Sequence, residues 1–309
     1  MQPIVAVLPT AQPEYLRAIA LGGGVAADLN GSTTGLVWTD SQDTVQLAEI
    51  LADNPQITWV QLPFAGVDNF KGLFDSLRES GRELLVTSAK GAYREPVAEH
   101  ALMLALSLGR ALPERLAAKS WGRKFAVSLF DSNVLIVGGG GITEELLRLL
   151  VPFRVTSTVV RRSTNSLLGA DKTIGLSELD SHLAGADFVF IASALTEETK
   201  GLFDSDMFSQ MKQSAYLVNV ARGEIVDSSA LEVALTTGQI AGAGIDVTDP
   251  EPLPDGHRLW NVPNLIITPH TADTPEQCVR LLSDRIVLNV QAIVHGTPLV
   301  GQVNLELGY

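Results

Sequence analysis

Short apolar runs and longer amphipathic stretches alternate along most of this chain, and the alternation predicts its architecture. Residues 4–8 (IVAVL), 35–38, 58–62 and 84–87 have the length of buried strands, while residues 45–52 between them carry helical spacing. Strands that alternate with helices build parallel sheets, because each crossover must carry the chain back across the sheet. From Glu95 the pattern changes. Residues 95–121 form the longest helix-like stretch, broken near Pro113, and the run 101–108 leaves little polar face. A helix apolar on most sides is covered by neighbouring layers or by a second subunit, so this segment is predicted to bridge into a second domain. Strand-like runs then resume at 134–137, 155–160, 173–174, 188–191, 216–220, 241–246 and 265–268. Helical segments at 177–183, 205–211 and 228–236 lie among them, several with Ser or Asp in position to cap. The last helix, from Pro275, has no following strand and is expected to return to the first domain.

Composition narrows the class. A chain of 309 residues exceeds what one core organises, so two domains are expected. Its 46% hydrophobic and 18% charged residues describe an ordinary globular protein. A net charge of −13 speaks against nucleic acid and anionic membrane surfaces as partners, although one local cationic pocket still suffices for a small anion. Cys278 is the only cysteine, so no intrachain disulfide forms, and its place in the last helix makes it a packing residue. The N-terminus lacks a basic, apolar leader, and no apolar run reaches the ~18 residues of a membrane span. A cytoplasmic protein is expected.

The chemistry starts at "VLIVGGGGITEEL", residues 134–146, a strand running into a glycine turn and a helix. Gly138 permits the tight turn and Gly140 lets the backbone approach a phosphate. Gly141 and Ile142 open a helix whose free N–H groups favour a pyrophosphate. Thr143 stands where a third glycine would serve helix–strand packing, and its hydroxyl is expected to help cap the helix. After the next strand, where an acidic residue would bond the ribose of NAD, the chain reads Arg161-Arg162-Ser163. Two cations and a hydroxyl suit the 2′-phosphate of NADP(H) instead. Further polar residues follow predicted strands: Arg222 in "NVARGEIVD", Asp246 and Glu251 in "GIDVTDPEPL", and His270 in "LIITPH". Ligands of open α/β sheets sit beyond the carboxyl ends of strands, where these groups could form an anion clamp and a supported acid/base. Each singly is equally compatible with a structural role.

In order along the chain, "AGVD" (65–68), "VAEHALMLAL", "VGGGGI", "LTEETKGLF", "NVARGEIVD", "GIDVTDPEPL" and "LW" before "NLIITPH" resemble the D-isomer-specific 2-hydroxyacid dehydrogenase family. The resemblance implies two doubly wound parallel-sheet α/β domains. A Rossmann-type cofactor domain, residues 96–274, is inserted into a smaller flavodoxin-like substrate domain, residues 1–95 and 275–309. It implies that Arg222 holds the substrate carboxylate, that His270 is the general acid/base and that Glu251 bonds it. Ala65 and Gly66 would offer backbone N–H groups to the carboxylate. Asp246 would lie near the nicotinamide amide, and Ala194, Val220 and Ala221 would line the cofactor with the glycine turn. Ala194 departs from the proline usual at that place. The chain ends at Tyr309 and is expected to lack the regulatory domain of long phosphoglycerate dehydrogenases. No metal is implied, and a homodimer using the apolar helix and the arm after it is.

The expected function is an NADP(H)-preferring reductase of small 2-oxo acids such as glyoxylate or hydroxypyruvate, reversible as a D-2-hydroxyacid dehydrogenase. Loops near Phe64, Lys90, Tyr93 and Trp260 are expected to choose the substrate. Two other readings stay open. One is an NAD-linked D-2-hydroxyacid or phosphoglycerate-type dehydrogenase, and the other a dinucleotide-sensing scaffold without catalysis.

Overall fold

The β-branched and aliphatic runs become strands, and the amphipathic segments between them become helices, in two compact units. The computed structural model describes residues 2–306. One unit comprises the residues up to Tyr93 together with those from Thr274 onward, the other Arg94–Asp273. Of the expected segment 275–309, residues 307–309 lie outside those described.

The first unit runs β1 (Ile4–Leu8), α1 (Pro13–Leu21), β2 (Val25–Ala26), β3 (Gly35–Trp38), α2 (Thr44–Asp53), β4 (Trp59–Gln61), α3 (Lys71–Ser80) and β5 (Leu85–Thr87). Its strands pair in parallel in the order β2-β1-β3-β4-β5, the flavodoxin-like order. Helices α1 and α3 and the short β2 lie outside the predicted elements. Their buried apolar positions nevertheless recur at helical spacing (Tyr15, Ala18 and Ile19; Leu73, Phe74 and Leu77).

The second unit opens with α4 (Arg94–Gly109) and α5 (Leu112–Ala117), the break falling where Pro113 enters the new helix. It continues β6 (Asn133–Val137), α6 (Gly141–Leu150), β7 (Thr156–Val160), β8 (Lys172–Ile174), α7 (Leu179–Leu183), β9 (Phe188–Ile191) and α8 (Ser205–Gln210). β10 (Tyr216–Asn219), α9 (Ser228–Thr236), β11 (Gly242–Ile245) and β12 (Leu265–Ile267) complete it. All seven strands pair in parallel, in the order β12-β11-β10-β9-β6-β7-β8. The winding reverses between β6 and β9, and that switch point opens a crevice at the carboxyl ends of the strands.

Helix α4 belongs to this unit rather than bridging into it. Ala98, Ala101, Leu104, Ala105 and Leu108 are buried, while Met103 stays 40% exposed. The glycines of β11 explain the seat: a Cβ on Gly244 would lie 3.1 Å from the Leu104 Cβ, and one on Gly242 3.3 Å from Leu108 Cδ2. Only a strand bare at those positions lets the helix pack so closely.

The closing helix α10 (Pro275–His295) starts at a capping box formed by Thr274 and Gln277 and ends at Gly296 in the left-handed region. It packs within the first unit on α1, where a Cβ on Gly22 would come 2.6 Å from Val290 Cβ. Polar bonds reinforce the join. Asn289 Nδ2 donates to Gln61 Oε1 at 2.8 Å, and the Thr87 hydroxyl donates to the same oxygen at 2.9 Å. The Arg285 guanidinium donates to the carbonyls of Ser88 and Lys90, both at 2.8 Å. Burial holds its pKa below the usual arginine value.

Candidate active site

The phosphate turn joins β6 to α6 at the switch point. Gly138 has φ of 114°, and a Cβ there would collide with the Ala192 carbonyl and sit 2.7 Å from the Ser193 backbone nitrogen. Glycine is therefore required twice, by conformation and by the close approach of the loop after β9. Gly140, at the helix N-cap, faces open space: a Cβ there meets nothing within 4 Å. With no side chain capping α6, the first-turn N–H groups beginning at Gly141 and Ile142 point into that space. The donor set fits a dinucleotide pyrophosphate, and the buried, unpartnered Ser193 hydroxyl beside it is a polar atom awaiting a ligand. Thr143 is fully buried, as a packing residue must be, but it does not cap the helix. Its hydroxyl donates back to the Gly138 carbonyl at 3.0 Å, because the side chain faces the turn rather than the free amides.

Around the phosphate turn, Arg161, Arg162 and Ser163 follow β7 at its carboxyl end. Ala194 lies in the loop after β9, where Thr199 bonds its carbonyl. Val220 and Ala221 follow β10, both nearly buried. Ala65 and Gly66 lie in the first unit, in the loop beyond β4.

Arg222 is shaped by its neighbours. Asn219, 1% exposed, accepts from the Ala221 N–H at 3.0 Å and donates to the Arg222 carbonyl at 2.9 Å. A Cβ on Gly223 would collide with the Thr248 carbonyl. That contact presses the Arg222 turn onto the loop carrying Glu251, and only glycine permits it. The Glu251 carboxylate accepts from the Thr248 N–H at 3.3 Å through one oxygen and meets His270 Nδ1 at 2.7 Å through the other.

The Glu251 hydrogen bond raises the His270 pKa first, and the Glu251 charge adds to it against the opposing effects of burial and of Arg222. Burial pushes the Glu251 carboxyl up, but the His270 bond and charge, the Thr248 N–H and Arg222 outweigh it, so the net shift is downward. The imidazole side chain remains 47% exposed. With Nδ1 committed to Glu251, Nε2 is the atom left for proton exchange.

Beneath this pair, Asp246 is 2% exposed and organises the turn after β12. Its Oδ1 accepts from the Thr268 hydroxyl at 2.6 Å and the Thr271 N–H at 3.0 Å, and its Oδ2 from the Ala272 N–H at 3.0 Å. Its backbone carbonyl accepts the His270 N–H at 2.8 Å. His270 itself has φ of 49°, a left-handed conformation that a histidine adopts only where its surroundings impose it. Burial raises the Asp246 pKa, and bonds from His100, Thr268 and Thr271 more than reverse that.

His100, from α4, completes the group. Its Nε2 lies 2.9 Å from the Thr268 hydroxyl and 3.3 Å from Asp246 Oδ1. Neither His100 nor Asn219 was among the residues singled out from sequence. Both sit inside quoted motifs, and a polar residue in an otherwise apolar buried run was the available signal. Tyr93 buries its hydroxyl on the Pro63 carbonyl at 2.8 Å, and Trp260 donates to the Pro254 carbonyl at 3.0 Å.

Residues 100–272 match the model of the D-isomer specific 2-hydroxyacid dehydrogenase NAD binding domain. The chain is 36% identical over 261 residues to an uncharacterised protein of Corynebacterium melassecola, covering 82% of this chain and 84% of that one. It is 31% identical over 249 residues to the glyoxylate reductase/hydroxypyruvate reductase of Mus musculus, covering 78% and 75%. In fold it is similar to a D-isomer specific 2-hydroxyacid dehydrogenase from Xanthobacter autotrophicus Py2 solved with NADPH and MES. The TM-score is 0.85 at 24% identity, with 100% of both chains covered. Among the described residues no helix is long and apolar enough to cross a membrane. The chain belongs to the D-isomer-specific 2-hydroxyacid dehydrogenase family, oxidoreductases that act on the CH–OH group of small hydroxy acids with a nicotinamide dinucleotide.

Proposed function

We propose that this chain is an NADP(H)-preferring reductase of small 2-oxo acids of the glyoxylate or hydroxypyruvate type, reversible as a D-2-hydroxyacid dehydrogenase. The observation that carries the chemistry is the His270–Glu251 contact of 2.7 Å beside Arg222. The name of the mouse relative supports the substrate class, and Arg161 and Arg162, in place of an acidic residue, support the phosphate preference.

Gly138, Gly140, Gly141 and Ile142 would hold the pyrophosphate, with Arg161, Arg162 and Ser163 at the adenosine ribose. Ala194, Val220, Ala221 and Asp246 would lie along the rest of the cofactor. Bound there, the nicotinamide supplies the hydride. Arg222 orients the substrate carboxylate with a bidentate fork that a lysine could not reproduce, and the backbone of Ala65 and Gly66 would assist. In the reducing direction His270 gives the proton on Nε2 to the substrate oxygen, while Glu251 stabilises the imidazolium beforehand. In the oxidising direction neutral Nε2 takes the proton. We also propose a homodimer, built through α4 and the segment after it.

The test is turnover of a panel of 2-oxo acids with NADPH and with NADH, followed by nicotinamide absorbance. Faster reduction of glyoxylate or hydroxypyruvate with NADPH is expected. Turnover with NADH alone would overturn the phosphate preference, and tight cofactor binding without turnover of any acid would favour the scaffold reading.

A further inference from the structure

Arg161 and Arg162 stand side by side in sequence but differ in surroundings. Arg162 is exposed and pairs with Glu198, on the loop after β9, at 3.8 Å. Arg161 is half-buried, anchored by its N–H to the Ile174 carbonyl at 3.0 Å, and its side chain runs over the phosphate turn. A Cβ built on Gly139 would lie 2.7 Å from Arg161 Cδ and 3.2 Å from both its Cβ and Nε. The Arg161 stem therefore occupies the volume in which any side chain at position 139 would stand. Its guanidinium makes no ion pair with another described residue.

Gly139 is the glycine that the dinucleotide fingerprint does not ask for. Gly138 carries the positive φ, and Gly140 faces the open phosphate space, whereas no left-handed conformation requires a glycine at 139. The three atoms nearest to a Cβ at that position all belong to Arg161.

We propose that Gly139 determines the cofactor's phosphate preference by seating the Arg161 stem across the turn, so that Arg161 rather than Arg162 meets the adenosine 2′-phosphate. The inference rests on the NADP(H) reading above. A methyl at position 139 costs the fold little, since the atoms that must yield are largely the flexible end of an arginine, but it redirects the guanidinium. Selectivity and stability thus separate.

The test uses fragments without nicotinamide: adenosine 2′,5′-bisphosphate and 5′-AMP, titrated calorimetrically into the full-length protein, with thermal melts as a check on folding. The wild type is expected to bind the bisphosphate more tightly. Gly139→Ala should lose about tenfold of that affinity, the scale of one charge-assisted bond, while 5′-AMP changes by less than about twofold. Arg161→Ala should match it, and the double variant should show no further loss. Three results overturn the proposal while leaving the NADP(H) reading intact: an unchanged ratio in Gly139→Ala, additive losses in the double variant, or Arg162→Ala producing the larger loss. A wild type without preference for the bisphosphate overturns the NADP(H) reading itself and the proposal with it. Should Gly139→Ala fail to fold, Gly139→Ala combined with Arg161→Ala removes the clash, and folding restored by the second change supports the seating contact.

Discussion

The two units are both parallel α/β sheets, yet they use buried polar groups for opposite ends. In the first, Gln61, Thr87 and Asn289 are completely buried and bond one another, and the Arg285 guanidinium is spent on main-chain carbonyls. These bonds tie the closing helix to strands far away in sequence. In the second, Asn219, Asp246, Thr268, Glu251 and His270 gather at the carboxyl ends of strands, and the network finishes in an imidazole half open to solvent. A polar network that satisfies itself stabilises a chain. One that leaves His270 Nε2 uncommitted suits the proton-exchange role proposed for that atom.

The sharpest way to break this contrast is His270→Ala. It should lower kcat/KM for 2-oxo acid reduction by about 10²–10⁴-fold, the usual contribution of positioned proton transfer. The melting temperature should hardly move, because the side chain is half exposed. Full turnover in this variant would remove the mechanism.

Arg285→Met addresses the other network. It orphans the buried carbonyl at Ser88 and removes the bond to the partly buried carbonyl at Lys90, and stability should fall by about 1–3 kcal/mol in urea unfolding. The unfolding midpoint should respond far more than the KM for cofactor. An unaltered midpoint would show that the guanidinium is not holding the join.

A smaller effect is expected at His100. Removing its bonds to Thr268 and Asp246 in His100→Ala should loosen the turn that holds His270 and reduce kcat/KM by roughly tenfold, the size of one charge-assisted bond. His100→Gln, which can still donate to Asp246, should recover part of the loss. Equal defects in both variants would argue that His100 merely fills space.

The smallest change is a displacement along the pH axis. His270 has its pKa raised by Glu251, so the proton needed for reduction is present at low pH and is lost as pH rises through that elevated value. The reductive kcat/KM should fall above it, whereas the oxidative rate should rise. The pair's contribution to stability follows the same sign for His270, being complete below the ordinary histidine value and lost as pH climbs past the folded one. Glu251→Gln should move the reductive limb to lower pH. A limb that stays in place would assign the titration to another group.

Much of the architecture was legible because period and punctuation suffice for it. Apolar runs of strand length separated by helical stretches mark β6 to β12, and Pro113 and the Thr274–Gln277 box mark where helices start. Helices α1 and α3 were not read from the sequence, although their apolar positions recur at helical spacing as clearly as those of α2 and α9, which were. The residues proposed to be functional, Arg222, Glu251 and His270, were visible as polar groups after predicted strands. The residues that brace them were not, since Asn219 and His100 become recognisable only through the atoms they touch.

By itself, then, the order of residues determined the alternation of strands and helices, the glycine turn and the set of chemical groups available, because these depend on spacing and side-chain type. Tertiary structure alone decided the rest. It brought Asp246 under the turn of a histidine with positive φ, set Gly223 against Thr248 so that Arg222 meets the Glu251 loop, and laid Arg161 across Gly139. Each of these is a contact between segments distant along the chain. Its existence depends on how sheet and helices pack, and packing is a property of volumes in space that no local pattern of residues records.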